Sequence, residues 1–343
     1  YIALAPRLGF AYDVFGNHKT ALRGGFGIFY NREQGNPYFR MVGNPPLTFT
    51  PTAYYGNLAT FAQTASYLGP VASEFTYGEN KLETTMNFSL GVQHSVGFGT
   101  VLDVSYVGSL GRHLLWQRNI NIIPKFSRFD PANADPTRPG SPLPDNFFRP
   151  YRGFDSLTMD EFNATSNYNS LQVSAQRRFT KRLMFGVAYT WSRGLTTATG
   201  DGTAVTQYFS PRQWMYTPYG RSHVMKINYL YELPRLGERL NNKLVGAILD
   251  HWSVSGITSF STGAPFTPSW STNYTVDTTG SGEGARITVI GDPWLDESRR
   301  TFDRNFNTAA FALTPVGSFG NAGLGMMYGP GVDNWDITLG KAV

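Results

Sequence analysis

The side chains able to do chemistry are scattered through this sequence. The five histidines, His18, His94, His113, His223 and His251, share no spacing that a metal ion or a general base requires, and no HExxH, GxSxG or Walker motif occurs. The chain has no cysteine, which removes thiolate catalysis, disulfides and zinc–thiolate sites together. Asp130 and Asp135 lie in a Pro-rich stretch without the Gly and Glu of a calcium loop. The glycine clusters at 24–27 and 280–284 lack the strand–loop–helix setting of a phosphate cradle; the first falls inside a strand pattern and the second reads as a loop tip. Neither a cofactor nor an enzyme is expected. A net charge of +5 spread along the chain offers no basic block for nucleic acid.

Two sets of side chains keep a chemical role. Aromatics in the long connections, Tyr54, Tyr55, Trp116, Trp214, Tyr216, Tyr219, Trp270 and Trp294, have the flat surfaces that stack on sugar rings or peptide side chains. Of these, Trp116, Trp214, Tyr216, Tyr219 and Trp270 are the expected ligand contacts. The second set is charged: Arg7, Arg23, Asp103, Arg178, Lys226 and Glu232 fall on the polar side of alternating segments. Such positions line a wet interior or meet an internal domain.

The elements that position both sets follow a period of two. In residues 181–193, Leu183, Phe185, Val187, Tyr189 and Trp191 alternate with Met184, Gly186, Ala188, Thr190 and Ser192. A strand sends these to opposite faces, one apolar and one small or polar. The same pattern predicts strands over 5–15, 20–30, 84–93, 102–106, 168–179, 223–233 and 252–261, and the start of another near 335–343. Short turns alternate with the long connections 31–81, 109–166, 194–220 and 263–333. One short connection differs, because Leu240, Leu244, Val245 and Ile248 have helical spacing and predict an amphipathic helix over 238–249.

Alternating short and long connections suit an antiparallel transmembrane β-barrel, all-β, with short periplasmic turns, long extracellular loops and about eight to nine strands in view. Aromatics are 15% of the chain and charged residues also 15%, against about 25% charged in an average soluble protein. Tyr30, Tyr106, Tyr189, Trp191, Tyr231 and Trp252 sit near strand ends on the apolar side, as an interfacial girdle requires. No apolar run reaches the length of a membrane helix, so only a closed barrel would span a bilayer. The basic loop residues Arg118, Lys125, Arg128 and Arg152 are candidates for lipopolysaccharide phosphates. A rim hydrolase built through His113 or His223 is the one enzymatic alternative such a barrel allows.

Four segments carry a resemblance to a known family: PRLGFAYDVFGNHKTALRGGFGIFY (6–30), YNSLQVSAQRRFTKRLMFGVAYTWS (168–192), STGAPFTP (261–268) and YGPGVDNWDITLGK (328–341). They resemble the TonB-dependent receptors, and within them the large Oar-like receptors. The resemblance implies a 22-stranded barrel, a plug domain, a TonB box and often a carboxypeptidase-regulatory-like domain ahead of the plug. The chain is therefore expected to be one partial barrel domain over 1–343, without plug or N-terminal domains and with its C-terminal strands, including a terminal Phe strand, truncated. The implied partners are outer-membrane lipid and lipopolysaccharide, the plug of the full-length chain, the TonB complex, and a ligand that is a carbohydrate, a peptide or a chelate. The implied site is the bacterial outer membrane. The implied function is ligand binding by external loops and passage through the barrel, with the six inward charges facing the plug. An adhesion or secretion-associated barrel without active uptake is the alternative.

Overall fold

The computed structural model of the chain describes residues 3–32, 35–48, 57–60, 69–77, 81–199, 203–204, 215–216, 220–269, 277–281 and 284–342. Among the described residues, nine long strands form one antiparallel meander, each paired with the next in sequence. They are β1 (Arg7–Asp13), β2 (Thr20–Asn31), β4 (Glu83–Gly97), β5 (Thr100–Asn119), β6 (Phe154–Thr180), β7 (Leu183–Thr196), β8 (His223–Glu232), β9 (Trp252–Ser261) and β10 (Val332–Lys341). The short β3 (Val71–Thr76) lies outside this order and pairs parallel with the start of β6. The sheet is an open arc, with β1 and β10 at its two edges.

Register makes the two faces continuous. One row of neighbours reads Tyr12, Leu22, Val92, Val104, Val173, Tyr189, Met225 and Phe260 from β1 to β9. The adjacent row on the other face reads Asp13, Ala21, Gln93, Asp103, Ser174, Ala188, Lys226, Ser259 and Asn334. A slip of one residue in any strand would exchange the two faces, and both hydrophobic and polar rows hold across the sheet. All six girdle aromatics fall on the apolar face. That face also covers its glycines with rings: a Cβ at Gly24 would run into Phe10, and one at Gly108 into Phe88. Strand glycines shielded this way keep the ladder away from the apolar surroundings.

Four expectations need correction. The connection 109–166 is not a loop throughout, because β5 continues to Asn119 and β6 begins at Phe154. At about 3.3 Å per residue, the 27 residues of β6 extend roughly 90 Å, far beyond a membrane crossing. Away from lipid both faces of a strand meet protein or water, so the alternation fades while the backbone ladder continues. The connection 31–81 holds α1 (Asn36–Met41) as well as β3. The single helix expected over 238–249 is two, α2 (Leu236–Arg239) and α3 (Lys243–Leu249), divided by Asn241 at φ 48° and by Asn242, whose side chain caps the Leu244 and Val245 amides. Finally, the first part of the expected loop tip at 280–284 is packed and not projecting: Ser281 and the preceding Thr279 are buried and Gly280 packs on Phe126 and Phe129, while residues 282–283 lie outside the described residues.

The extension beyond the membrane crossing has its own small core. Trp116 and Ala164 are buried there against Leu114, Ala198 and Leu324. Beside it lies a polar cluster on β3, β5 and β6. Gln117 Nε2 donates to both Asp160 Oδ1 (2.8 Å) and Glu74 Oε1 (2.9 Å), and Arg40 Nε pairs with Glu74 at 2.6 Å. Asp160 is fully buried and its Oδ2 has no partner. Burial first, and then the charge of Glu74, push its carboxyl up to about 6. The folded state therefore holds a proton that the unfolded chain releases near 3.8. Stability from this site is complete below pH 3.8 and is lost as pH rises through about 6. Unfolding at pH 4.5 and pH 7.5 should show this segment more stable in acid, by about 2 kcal/mol. Asp160→Asn should flatten that dependence, and an unchanged slope in the variant would remove Asp160 as its source.

Candidate functional site

The polar face of the sheet carries the six charged positions singled out above. Register places Arg7, Arg23, Asp103, Lys226 and Glu232 on it, and alternation carries Arg178 there after Gln176. Between them stand small and hydrogen-bonding groups: Asn87, Ser89, Ser105, Gln172, Ser174, Thr190 and Asn228. Arg7, Arg23, Arg178 and Lys226 are exposed, while Asp103 and Glu232 are half-buried. Arg7 lies over the Phe29 ring at 4.7 Å, and Asp103 accepts a hydrogen bond from Ser105 at 2.8 Å. None of the six forms an ion pair with another described residue. The wall thus presents charges of both signs that its own strands leave without a counter-ion.

The expected loop contacts fare differently. Trp116 lies within β5, is 3% exposed, and donates its Nε1 hydrogen to Glu161 Oε2 at 2.6 Å. It packs the extension and is not presented to solvent. Tyr216 is described only as backbone paired with Leu195 on β7, and Trp214, Tyr219 and Trp270, like Tyr54 and Tyr55, lie outside the described residues. Trp294 is half-exposed and stacks on Tyr328 with centroids 6.2 Å apart. Together with Phe306, Phe260 and Tyr189 these two line a cleft of about 670 Å³ at the upper ends of β7 to β10. Tyr189, Met225 and Phe260 belong to the apolar row, so the cleft opens outside the wall and not onto the polar face. It arises where a distant loop meets the strand tops, and no local pattern announces it.

The basic loop residues are mostly engaged. Arg128 binds Asp145 at 2.8 Å and Asp277 at 2.7 Å and also donates to the Ser281 carbonyl, clasping two long connections together. Burial opposes ionisation of Asp277, yet the hydrogen bonds from Arg128 and from the Gly280 and Thr279 amides, together with the Arg128 charge, outweigh it and hold the carboxyl below its usual range. Arg118 pairs with Glu161 at 2.8 Å and Lys125 sits over Phe126 at 6.0 Å, leaving Arg152 exposed. The two rim histidines are not joined into a catalytic group. His223 stacks on Tyr189 and Trp191 with Nδ1 2.8 Å from the Tyr189 hydroxyl, and His113 occupies an irregularity of β5 at φ 54°. Among the described residues no cluster of three His, Asp or Glu side chains is arranged to hold a metal ion.

A search of curated proteins finds no match. Among solved structures, the chain is similar to the outer membrane transporter YddB from Escherichia coli, at 8% identity and a TM-score of 0.48, covering 78% of this chain and 30% of that one. It is also similar to the FrpB iron transporter from Neisseria meningitidis, at 11% identity and a TM-score of 0.38, covering 77% of this chain and 27% of that one. The copper transporter OprC aligns at 12% identity and a TM-score of 0.35, over 75% of this chain and 26% of its own. The chain thus spans less than a third of the length of each. The profile of the outer membrane beta barrel domain matches residues 1–343 in full. An antiparallel sheet with one lipid-type face, one polar face and a match along its whole length identifies the chain as a member of the outer membrane beta barrel domain family, located in the bacterial outer membrane.

Proposed function

We propose that this chain is part of the wall of a TonB-dependent receptor. Its external connections bind a ligand, a carbohydrate, peptide or chelate, and the ligand passes along the polar face once a plug domain of the full-length protein rearranges. Energy comes through the TonB complex and not through this segment. The role is transport and not catalysis, and lipopolysaccharide surrounds the outer rim. The observation that carries the reading is the polar face itself: nine meandering strands do not close, and Arg7, Arg23, Asp103, Arg178, Lys226 and Glu232 stand on them without ion-pair partners. A small barrel would fill its interior with packed side chains, whereas a wide one needs a polar wall against which a plug docks.

The test uses Lys226→Cys in the full-length receptor, treated on intact cells with a bulky polyethylene-glycol maleimide. A plug should shield the position in cells lacking TonB, and labelling should quicken when TonB is present. Labelling in both strains at the rate of a plug-deleted barrel would overturn the reading.

A further inference from the structure

The connection between β8 and β9 leaves an apolar helix face uncovered at the short-turn end of the sheet. Leu244 and Ile248 lie one turn apart on α3 and are 79% and 67% exposed, Leu240 in the junction between the helices is 65% exposed, and Leu236 and Leu249 are exposed beside them. These are the highest exposures of large apolar side chains in this part of the chain, and they are not a consequence of disorder. The helical hairpin is firmly built. Gly237 and Gly246 let α2 and α3 touch backbone to backbone, so that a Cβ on Gly237 would collide with the Gly246 Cα. The buried Asp250 carboxylate accepts the Gly237 amide at 2.8 Å.

Its position relative to the two faces is fixed at the end of α3. Trp252 and Lys341 are register partners on the apolar face of β9 and β10. Trp252 donates its Nε1 hydrogen to the Ile248 carbonyl at 2.8 Å, and Lys341 Nζ donates to the Ala247 and Ile248 carbonyls while lying 5.7 Å from the Trp252 ring. The last turn of α3 is therefore tied to the lipid side of the wall, next to the apolar positions Trp252 and Leu339. Arg239 and Lys243 on the hairpin are exposed, Lys341 ties its end, and Lys181 and Arg182 belong to the adjacent turn, whose Arg182 carbonyl accepts the Glu232 amide at 2.9 Å. A short helical hairpin with exposed leucines and exposed cations in the same connection has the form of an element that lies in a membrane interface.

We infer that α2 and α3 form an interfacial anchor that lies in the inner leaflet of the outer membrane, with Leu240, Leu244 and Ile248 among phospholipid acyl chains and the cations at anionic headgroups. The occupant is phospholipid because the face continues the lipid-facing band at the end where the connections are short, which is the periplasmic side of such barrels. The anchor fixes the height and tilt of β8, β9 and β10 in the bilayer, since Lys341 and Trp252 join it directly to two of them.

The experiment places a nitroxide at Leu244→Cys in the full-length receptor, reconstituted in phosphatidylethanolamine and phosphatidylglycerol vesicles, and compares its collisions with oxygen and with a nickel chelate. References are Val187→Cys on the apolar face and His18→Cys in an exposed turn, and heat-modifiable migration on gels confirms folding of each. The oxygen-to-nickel ratio at 244 should be several-fold above that at 18 and approach that at 187. A ratio like that at 18 means a hydrated helix and overturns the inference, as does protection from both agents, which means that a protein covers the face. If 187 itself collides with nickel as 18 does, the membrane crossing fails and not the anchor alone.

Discussion

Val187→Arg in the full-length protein should lower its unfolding free energy in lipid vesicles by about 2–4 kcal/mol, while Ala188→Ser should stay within about 0.5 kcal/mol. The two residues are chain neighbours with opposite surroundings. Val187 stands between Ala175 of β6 and Ile227 of β8 in the middle of the apolar row, whereas Ala188 stands between Ser174 and Lys226 on the polar face. A guanidinium at 187 must either lose its water among acyl chains or drag water into the bilayer, and neither neighbour offers it a partner. At 188 a hydroxyl joins a face already made of hydroxyls and amides. Urea titration of both variants measures the difference. Equal tolerance would mean that the apolar row does not face lipid.

The strands of the membrane crossing were legible because lipid acts on every second residue. Leu183, Phe185, Val187, Tyr189 and Trp191 report one face without any knowledge of their partners, and the structure places them all on it. The polar positions of Arg23, Asp103 and Lys226 were legible for the same reason. Where the bilayer ends, so does that signal. β6 starts 14 residues before the expected position, at Phe154 against Tyr168, because Leu157, Met159 and Phe162 pack against neighbours from other segments and obey no simple alternation. Trp116 shows the same loss. Its burial depends on Glu161, Ala198 and Leu324, which arrive from three separate stretches. The helical spacing of Leu240, Leu244 and Ile248 was visible, yet the break at Asn241 and Asn242 was not, since either residue is also found inside helices. The Asp160 cluster was invisible because Glu74 reaches it through a parallel pairing that crosses the meander.

Gly263→Ala tests a feature that motif and structure explain together. Gly263 follows β9 in the segment STGAPFTP, and Gly329 precedes β10 in YGPGVDNWDITLGK. The two backbones touch there: a Cβ on Gly263 would occupy the position of the Gly329 carbonyl and lie 2.9 Å from that of Pro330. The Gly329 amide donates to Ala264 O at 2.9 Å, and Pro265–Phe266 pairs with Met327–Tyr328 just beyond. Residue 263 has no left-handed φ, so its glycine is required by space and not by backbone conformation. The contact closes the base of the long connection 262–331 and holds Trp294 and Tyr328 over the strand tops. Because the obstacle is backbone, which no rotamer change removes, alanine should open this base at a cost near the top of the overpacking range, about 3 kcal/mol. When cleavage follows the population of opened loop, that cost corresponds to roughly 100-fold faster proteolysis of the connection on intact cells. Gly284→Ala in the same connection meets nothing within 4 Å and should leave the rate unchanged. The barrel should remain folded in both variants, since the strands on either side keep their full ladders. A Gly263→Ala protein cleaved no faster than Gly284→Ala would show that the two chain segments do not cross in contact at the rim.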